Sequence, residues 1–194
     1  MTHPTVAVLG AGSMGEILAE GLLRAGWETD NLILLVRREE RARETERRTA
    51  IRATLDPAEA VAGRDVLVVA VKPKDVEYLL SQIRELVNPG QVVVSLVAGV
   101  PLEVYESQLD GVAVVRSMPN TPAAVDEGMT AYCGGSHADD DALALADMVL
   151  SAVGVSIRLS EVLLDAVTAV SGSGAGYVFL LGEAVTEAAC RVGL

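Results

Sequence analysis

Cysteine, histidine and positive charge are all scarce in this 194-residue sequence: two Cys, two His, and 15 Lys and Arg against 27 Asp and Glu, a formal net charge of −12. Cys133 and Cys190 lie far apart, with no C-x-x-C pair and no Cys/His cluster, so neither a disulfide framework nor a metal site is expected and both read as buried small hydrophobes. The acidic balance excludes nucleic acid as the main partner, because gripping a phosphate backbone takes a basic face. It leaves room for a small anionic cofactor, which feels only local charge and backbone amides. His3 sits in an N-terminal tail and His137 in a polar loop, and neither is a candidate catalytic residue. No uncharged apolar run reaches the roughly 18 residues needed to span a bilayer. The opening residues MTHPT lack a basic region followed by an apolar stretch, so no secretory leader is expected. A soluble, cytoplasmic chain without membrane contact follows as the expectation. Ser- or Pro-rich linkers and internal repeats are also lacking.

What the sequence has is apolar bulk, 51% hydrophobic residues, enough to bury a substantial core in one large domain or one domain with an appendage. Its organising stretch is VAVLGAGSMG, residues 6–15. Residues 6–9 are apolar on both sides of the pleat, as in a strand buried within a parallel sheet. Gly10, Gly12 and Gly15 follow, then Ile17, Leu18, Leu22 and Leu23 at helical spacing. In a strand–turn–helix context Gly10 permits the tight turn, Gly12 lets a pyrophosphate approach the backbone, and Gly15 lets helix and strand pack closely. The phosphates would sit on the free N–H groups and positive dipole end of that helix.

The rest alternates in the same style. Residues 32–36 (LILLV) predict a second buried strand ending at Arg37-Arg38, where an acidic residue would favour NAD and an arginine accommodates the 2′-phosphate of NADP. NADP(H) is therefore expected, with NAD(H) as the alternative; the plainer reading is that these arginines begin the charged, solvated helix 39–48. Residues 51–53 predict a short strand, and Asp56-Pro57-Ala58-Glu59 a helix start with an N-cap carboxylate and a capping-box glutamate. The strand 66–71 (VLVVAV) runs into Lys72-Pro73, where ligands of open α/β sheets collect. Helix 75–86, strand 92–97, helix 102–109 and strand 112–115 complete a doubly wound parallel sheet of the Rossmann type. Residues 116–122 (RSMPNTP) predict a rigid loop because two prolines fix φ, and its Asn120 offers a donor and acceptors. A strand 129–133, a helix 140–151, a strand 155–159 and helices 161–170 and 174–192 follow. Between the last two, SGSGAGY (171–177) reads as a second glycine-rich helix entrance or as a capped bend between packed helices.

GAGSMG (10–15), VAVKP (69–73), VSLVAGV (94–100), MPNTPA (118–123) and VTAVSGSGAGY (167–177) together resemble Δ1-pyrroline-5-carboxylate reductase, in order and approximate spacing, over nearly the whole chain. The resemblance implies hydride transfer from NADPH or NADH to a cyclic imine bearing a carboxylate, yielding L-proline. It implies a dinucleotide domain over residues 1–160 and, over 161–194, the start of an all-α domain that intertwines across a homodimer. The chain stops at Leu194, so the later loop that grips the imino-acid carboxylate in that family would be missing and the apolar face of 178–192 exposed or packed on another chain. Gly10, Ala11, Gly12, Ser13, Met14, Gly15, Arg37, Arg38, Val71, Lys72, Pro73, Leu96, Val97 and Ala98 would hold the cofactor, with Asn120 and Glu161 bordering its nicotinamide side. The sequence departs from the family at Ala175-Gly176, where Pro-Ala is usual. Two alternatives stand beside it. A dehydrogenase of the 3-hydroxyacid or 6-phosphogluconate type is opposed by the absence of lysine from 174–194; a nucleotide-binding module without catalysis would bind cofactor without turnover.

Overall fold

The computed structural model describes residues 3–194; of the opening MTHPT, Met1 and Thr2 lie outside the described residues. The apolar runs form the strands β1 (Val6–Leu9), β2 (Leu32–Leu35), β4 (Val66–Val69) and β5 (Val92–Ser95), each buried along its whole length. Their alternating side chains divide between two cores. Val6, Val8, Val66 and Val68 meet Leu18, Leu22, Leu143 and Leu150 on one face of the sheet; Ala7, Leu9, Leu67 and Val69 meet Leu79, Leu80, Ile83 and Tyr105 on the other. Burial on both faces leaves a strand no solvated side, so these segments carry unbroken Val/Ile/Leu instead of an alternating pattern.

The first face is covered by α1 (Ser13–Arg24), α2 (Glu39–Thr49) and α6 (Asp140–Leu150). The second is covered by α3 (Pro57–Val61), α4 (Val76–Ile83) and α5 (Leu102–Glu106). With β3 (Arg52–Thr54), β6 (Ala113–Met118), β7 (Gly128–Gly134) and β8 (Gly154–Arg158), the sheet has eight strands in the order β3-β2-β1-β4-β5-β6-β7-β8. The six strands from β3 to β6 are parallel, as the sequence predicts.

The remaining two, for which the sequence predicts strands without a direction, extend the sheet in a mixed sense. Strand β7 is antiparallel to β6, and β8 then pairs parallel with β7. The connection across 119–127 is too short for a crossover helix, so the chain can only fold back; α6 supplies a full crossover before β8. Strand β6 also runs to Met118, which puts Arg116 and Ser117 inside the sheet, not in the predicted loop. At Asp56 the N-cap bond to the Ala58 amide forms as predicted, 2.9 Å, but no capping box does: Glu59 takes the Thr54 hydroxyl at 2.5 Å, and that hydroxyl accepts from the Asp56 amide.

The end of the chain differs more. The predicted pair of helices is one helical stretch, Glu161–Arg191, including α7 (Leu164–Val167) and α8 (Ser173–Arg191), with a wider π turn over Thr168–Gly172 between them. SGSG is therefore no helix entrance with free amides. Its residues have helical backbone angles, Gly172 at φ −65° among them, and the extra residue of the π turn takes up what the glycines suggest is a break. Leu164 is buried against the second core, whereas no residue of α8 is buried. This stretch is long and apolar enough, by length and composition, to cross a membrane. Cys133 is buried, but Cys190, predicted to be so, lies exposed on α8.

Candidate functional site

The strand order turns at β1, where the chain runs out through β2 to β3 on one side and through β4 to β8 on the other. Leu9, Leu35 and Val69 are in register, so the loops after β1, β2 and β4 leave the sheet side by side. Such a reversal point at the carboxyl ends of the strands is where open α/β sheets bind ligands. Here it forms a cleft of about 750 Å³.

The floor of the cleft is the glycine loop. Gly10 has φ +108°, and its amide donates to the Leu35 carbonyl at 3.0 Å. A Cβ there would stand 2.7 Å from Val71 Cγ1. At Gly15 a Cβ would stand 2.4 Å from the Gly10 carbonyl oxygen, so the α1 backbone rests on the loop itself. Gly12 differs: it lines the cleft, and a Cβ there would meet nothing within 4 Å. The ladder of α1 begins with the Glu16 amide donating to the Gly12 carbonyl, 2.9 Å, and the earlier amides of the first turn have no acceptor within the helix.

The walls are basic. Arg37, Arg38, Arg41 and Lys72 line the cleft against a single carboxylate, Asp75, a concentration of positive charge in a chain of net charge −12. Arg37 reaches across to Asp75, 3.1 Å, linking the end of β2 to the turn before α4. Arg38 has no ion-pair partner among the described residues. Leu55, Pro57, Tyr78 and Leu79 add apolar surface to the rim.

Among the residues predicted from sequence, Gly10, Ala11, Gly12, Ser13, Arg37, Arg38, Val71 and Lys72 line this cleft. Met14, Gly15 and Pro73 adjoin it without lining it. Leu96, Val97 and Ala98 follow β5, one strand further along the sheet; Leu96 and Val97 are buried and Ala98 is exposed. Asn120 and Glu161 also lie outside the cleft lining, and each joins the C-terminal helix to the sheet. The Asn120 Nδ2 donates to Ser171 Oγ at 3.1 Å, and its Oδ1 accepts from the Met129 amide at 2.8 Å. Glu161 Oε1 accepts from the Leu102 amide at the start of α5, 2.8 Å, and from Arg116 Nη1, 2.9 Å. Arg116 also reaches Asp165 at 3.2 Å and is itself only 6% exposed.

Arg41 and Arg116 are the residues that sequence reading passes over. Arg41 is hidden in the charged run of α2, and its signal is the spacing of Arg41, Thr45 and Arg48, a single helical face, opposite Glu16, the first acid after the glycine loop. Arg116 is hidden by the prolines that follow it. Opposite Arg116, the thiol of Cys133 is pushed up to about 11, chiefly by burial and then by the Glu161 carboxylate, which leaves it a protonated core residue at neutral pH. His3 stacks on Trp27, ring centroids 3.9 Å apart, away from the cleft. Among the described residues no cluster of His, Cys, Asp or Glu fits a metal.

Two family models match the chain: "NADP oxidoreductase coenzyme F420-dependent" over residues 5–99, and "Pyrroline-5-carboxylate reductase dimerisation" over residues 161–194. The pyrroline-5-carboxylate reductase of Mycobacterium tuberculosis is 40% identical over 196 residues, covering 97% of this chain and 66% of its own length, so the chain spans just under two thirds of that relative. That of Corynebacterium melassecola is 39% identical, covering 98% of this chain and 72% of its own. The crystal structure of Plasmodium falciparum pyrroline carboxylate reductase with NADP bound superposes with a TM-score of 0.89 at 26% identity, over all of this chain and 72% of that one. With the glycine loop at the sheet's reversal point, the dimerisation segment after it and identity of this extent along the chain, the protein belongs to the pyrroline-5-carboxylate reductase family.

Proposed function

We propose that the chain binds NADPH in the cleft between β1, β2 and β4 and, as part of a homo-oligomer, reduces 1-pyrroline-5-carboxylate to L-proline. The observation that carries this reading is the cleft itself, a glycine loop with an open Gly12 beside Arg37, Arg38 and Arg41. These residues fit a phosphorylated dinucleotide. The pyrophosphate would lie on the first turn of α1 and the 2′-phosphate against the arginines after β2. The relative solved with NADP bound supports the same choice, and NADH would bind more weakly.

The chemistry such a cofactor supplies is hydride delivery to the carbon of a C=N bond; the protein's share is placement. Leu96, Val97 and Ala98 would flank the nicotinamide end, beyond the cleft. Asn120 and Glu161 would border it indirectly, by fixing the C-terminal helix over the ends of β5 and β6. Residues 1–160 would thus form the dinucleotide unit, and residues 161–194 the start of a helical unit that meets a second copy. The dimerisation-family match over 161–194 supports that contact over a membrane span for the apolar surface left open on α8, and a cytoplasmic location goes with it.

The test is pyrroline-5-carboxylate-dependent loss of NADPH absorbance, with NADH in parallel, for the wild type and for Arg37→Ser/Arg38→Ser. The double variant should raise the NADPH Km by roughly tenfold or more, since hydrogen bonds to charged groups contribute about 1.5–3 kcal/mol each, and change that for NADH within about twofold. Equal losses for both cofactors would remove the phosphate role of Arg37 and Arg38. NADPH binding without turnover would leave a nucleotide-binding module.

A further inference from the structure

We infer that Arg41 is a determinant of the preference for a 2′-phosphorylated dinucleotide, and that Glu16 is the positioning residue that holds it there. The inference rests on the cofactor reading above and concerns residues outside the arginine pair at the end of β2.

Glu16 lies in the first turn of α1, one residue past the glycine loop, and is 6% exposed. Its Oε1 accepts from Arg41 Nη2 at 2.7 Å and from Thr45 Oγ1 at 3.1 Å; its Oε2 accepts from Arg48 Nη2 at 2.5 Å. Arg41 Nη2 also approaches the Ala11 carbonyl at 3.4 Å, and Nη1 reaches Glu44 at 2.7 Å. One guanidinium therefore spans from the glycine loop to α2 while lining the cleft.

Packing alone does not account for this arrangement. A buried charge pair is on balance no more stabilising than an apolar one of similar volume, and α1 meets the sheet through leucines elsewhere. What Glu16 adds is order. A free arginine side chain gives up rotamer entropy when fixed, and here that loss is met during folding instead of on ligand binding. Arg48 offsets part of the charge of Glu16 while its Nε reaches Glu20 at 3.1 Å; neither glutamate lines the cleft, where Arg37, Arg38, Arg41 and Lys72 still outnumber Asp75. Glu44, on the outer side, is more than half exposed, and so weak a surface partner can be exchanged for a phosphate dianion.

The experiment is calorimetric titration of the chain with NADP⁺ and NAD⁺, for wild type, Arg41→Ala, Arg41→Lys, Glu16→Gln and Glu16→Gln/Arg41→Ala. Arg41→Ala is expected to weaken NADP⁺ about tenfold and NAD⁺ less than about twofold, and Arg41→Lys to fall between, because the amine keeps the charge and loses the planar fork. Glu16→Gln, nearly isosteric, should weaken NADP⁺ by about three- to fivefold, a loss of order that leaves the contact itself in place, and should lower the NADP⁺/NAD⁺ affinity ratio no further in the Arg41→Ala background. NAD⁺ affinity serves as the measure of an intact fold. A Glu16→Gln variant with an unchanged or higher ratio overturns the positioning role, and an Arg41→Ala variant that loses both ligands equally overturns the phosphate contact. If the wild type prefers NADP⁺ and no variant shifts the preference, only the roles of Arg41 and Glu16 fall. If the wild type binds neither dinucleotide, the cofactor reading falls with them.

Discussion

Three glycines of one loop are alike in sequence and unlike in what surrounds them. Gly15 and Gly10 have no room for a side chain, whereas a Cβ on Gly12 would meet nothing within 4 Å. Gly15→Ala must push the helix backbone off the Gly10 carbonyl, an overpacking strain of about 1–3 kcal/mol that lowers the melting temperature with or without cofactor. Gly12→Ala, at the extended N-cap of α1, should cost less than about 1 kcal/mol in stability and yet block the close approach of a pyrophosphate. Thermal melts of both variants, paired with NADP⁺ titration, should therefore separate: Gly15→Ala loses stability first, Gly12→Ala loses affinity first. A Gly12→Ala chain that binds NADP⁺ like wild type would show that this loop does not carry the phosphates.

At the scale of elements, what could be read in advance was whatever a local pattern specifies. Double-sided burial writes β1, β2, β4 and β5 as unbroken aliphatic runs, and the glycine spacing marks the turn between β1 and α1. The antiparallel β7 depends on the length of the connection before it, and the continuity of the C-terminal helix depends on a π turn ending at Gly172, with Gly174 already inside α8. Neither has a residue signature. The half of the site facing the C-terminal helix was obscured for a related reason: Arg116 meets Glu161 and Asp165 across 45 and 49 residues. That contact is also the joint between the sheet and the helix. Arg116→Ala leaves Glu161 with only the Leu102 amide; because Glu161 is about a third exposed and Asp165 largely so, the cost should fall below that of a fully buried pair, to about 1–3 kcal/mol. Hydrogen exchange should quicken at the Leu102 amide and across 164–168 while the amides of β1 and β4 stay protected. Uniform loss of protection would mean that Arg116 supports the whole sheet.

For the molecule as a whole, the unresolved demand is the surface of α8. Val178, Leu181 and Val185 recur at spacings of three and four with Ala188 and Val192, and the first three are 60–68% exposed although the sheet has a complete core without them. An apolar stripe of this length is the seam expected of a helix that packs on another helix, and its exposure disfavours a lone soluble monomer. If a second copy covers it, a charge placed mid-stripe should dissociate the assembly. Leu181→Glu is expected to shift the sedimentation-equilibrium mass from a multiple of 20.2 kDa to the single-chain value. Dinucleotide affinity should stay as it was, because every residue lining the cleft lies between Gly10 and Gln82. Turnover should fall with the assembly if the imino-acid site is completed across the contact, and persist if one chain suffices. A Leu181→Glu protein of unchanged mass would place the contact elsewhere and leave the stripe without a partner of its own kind.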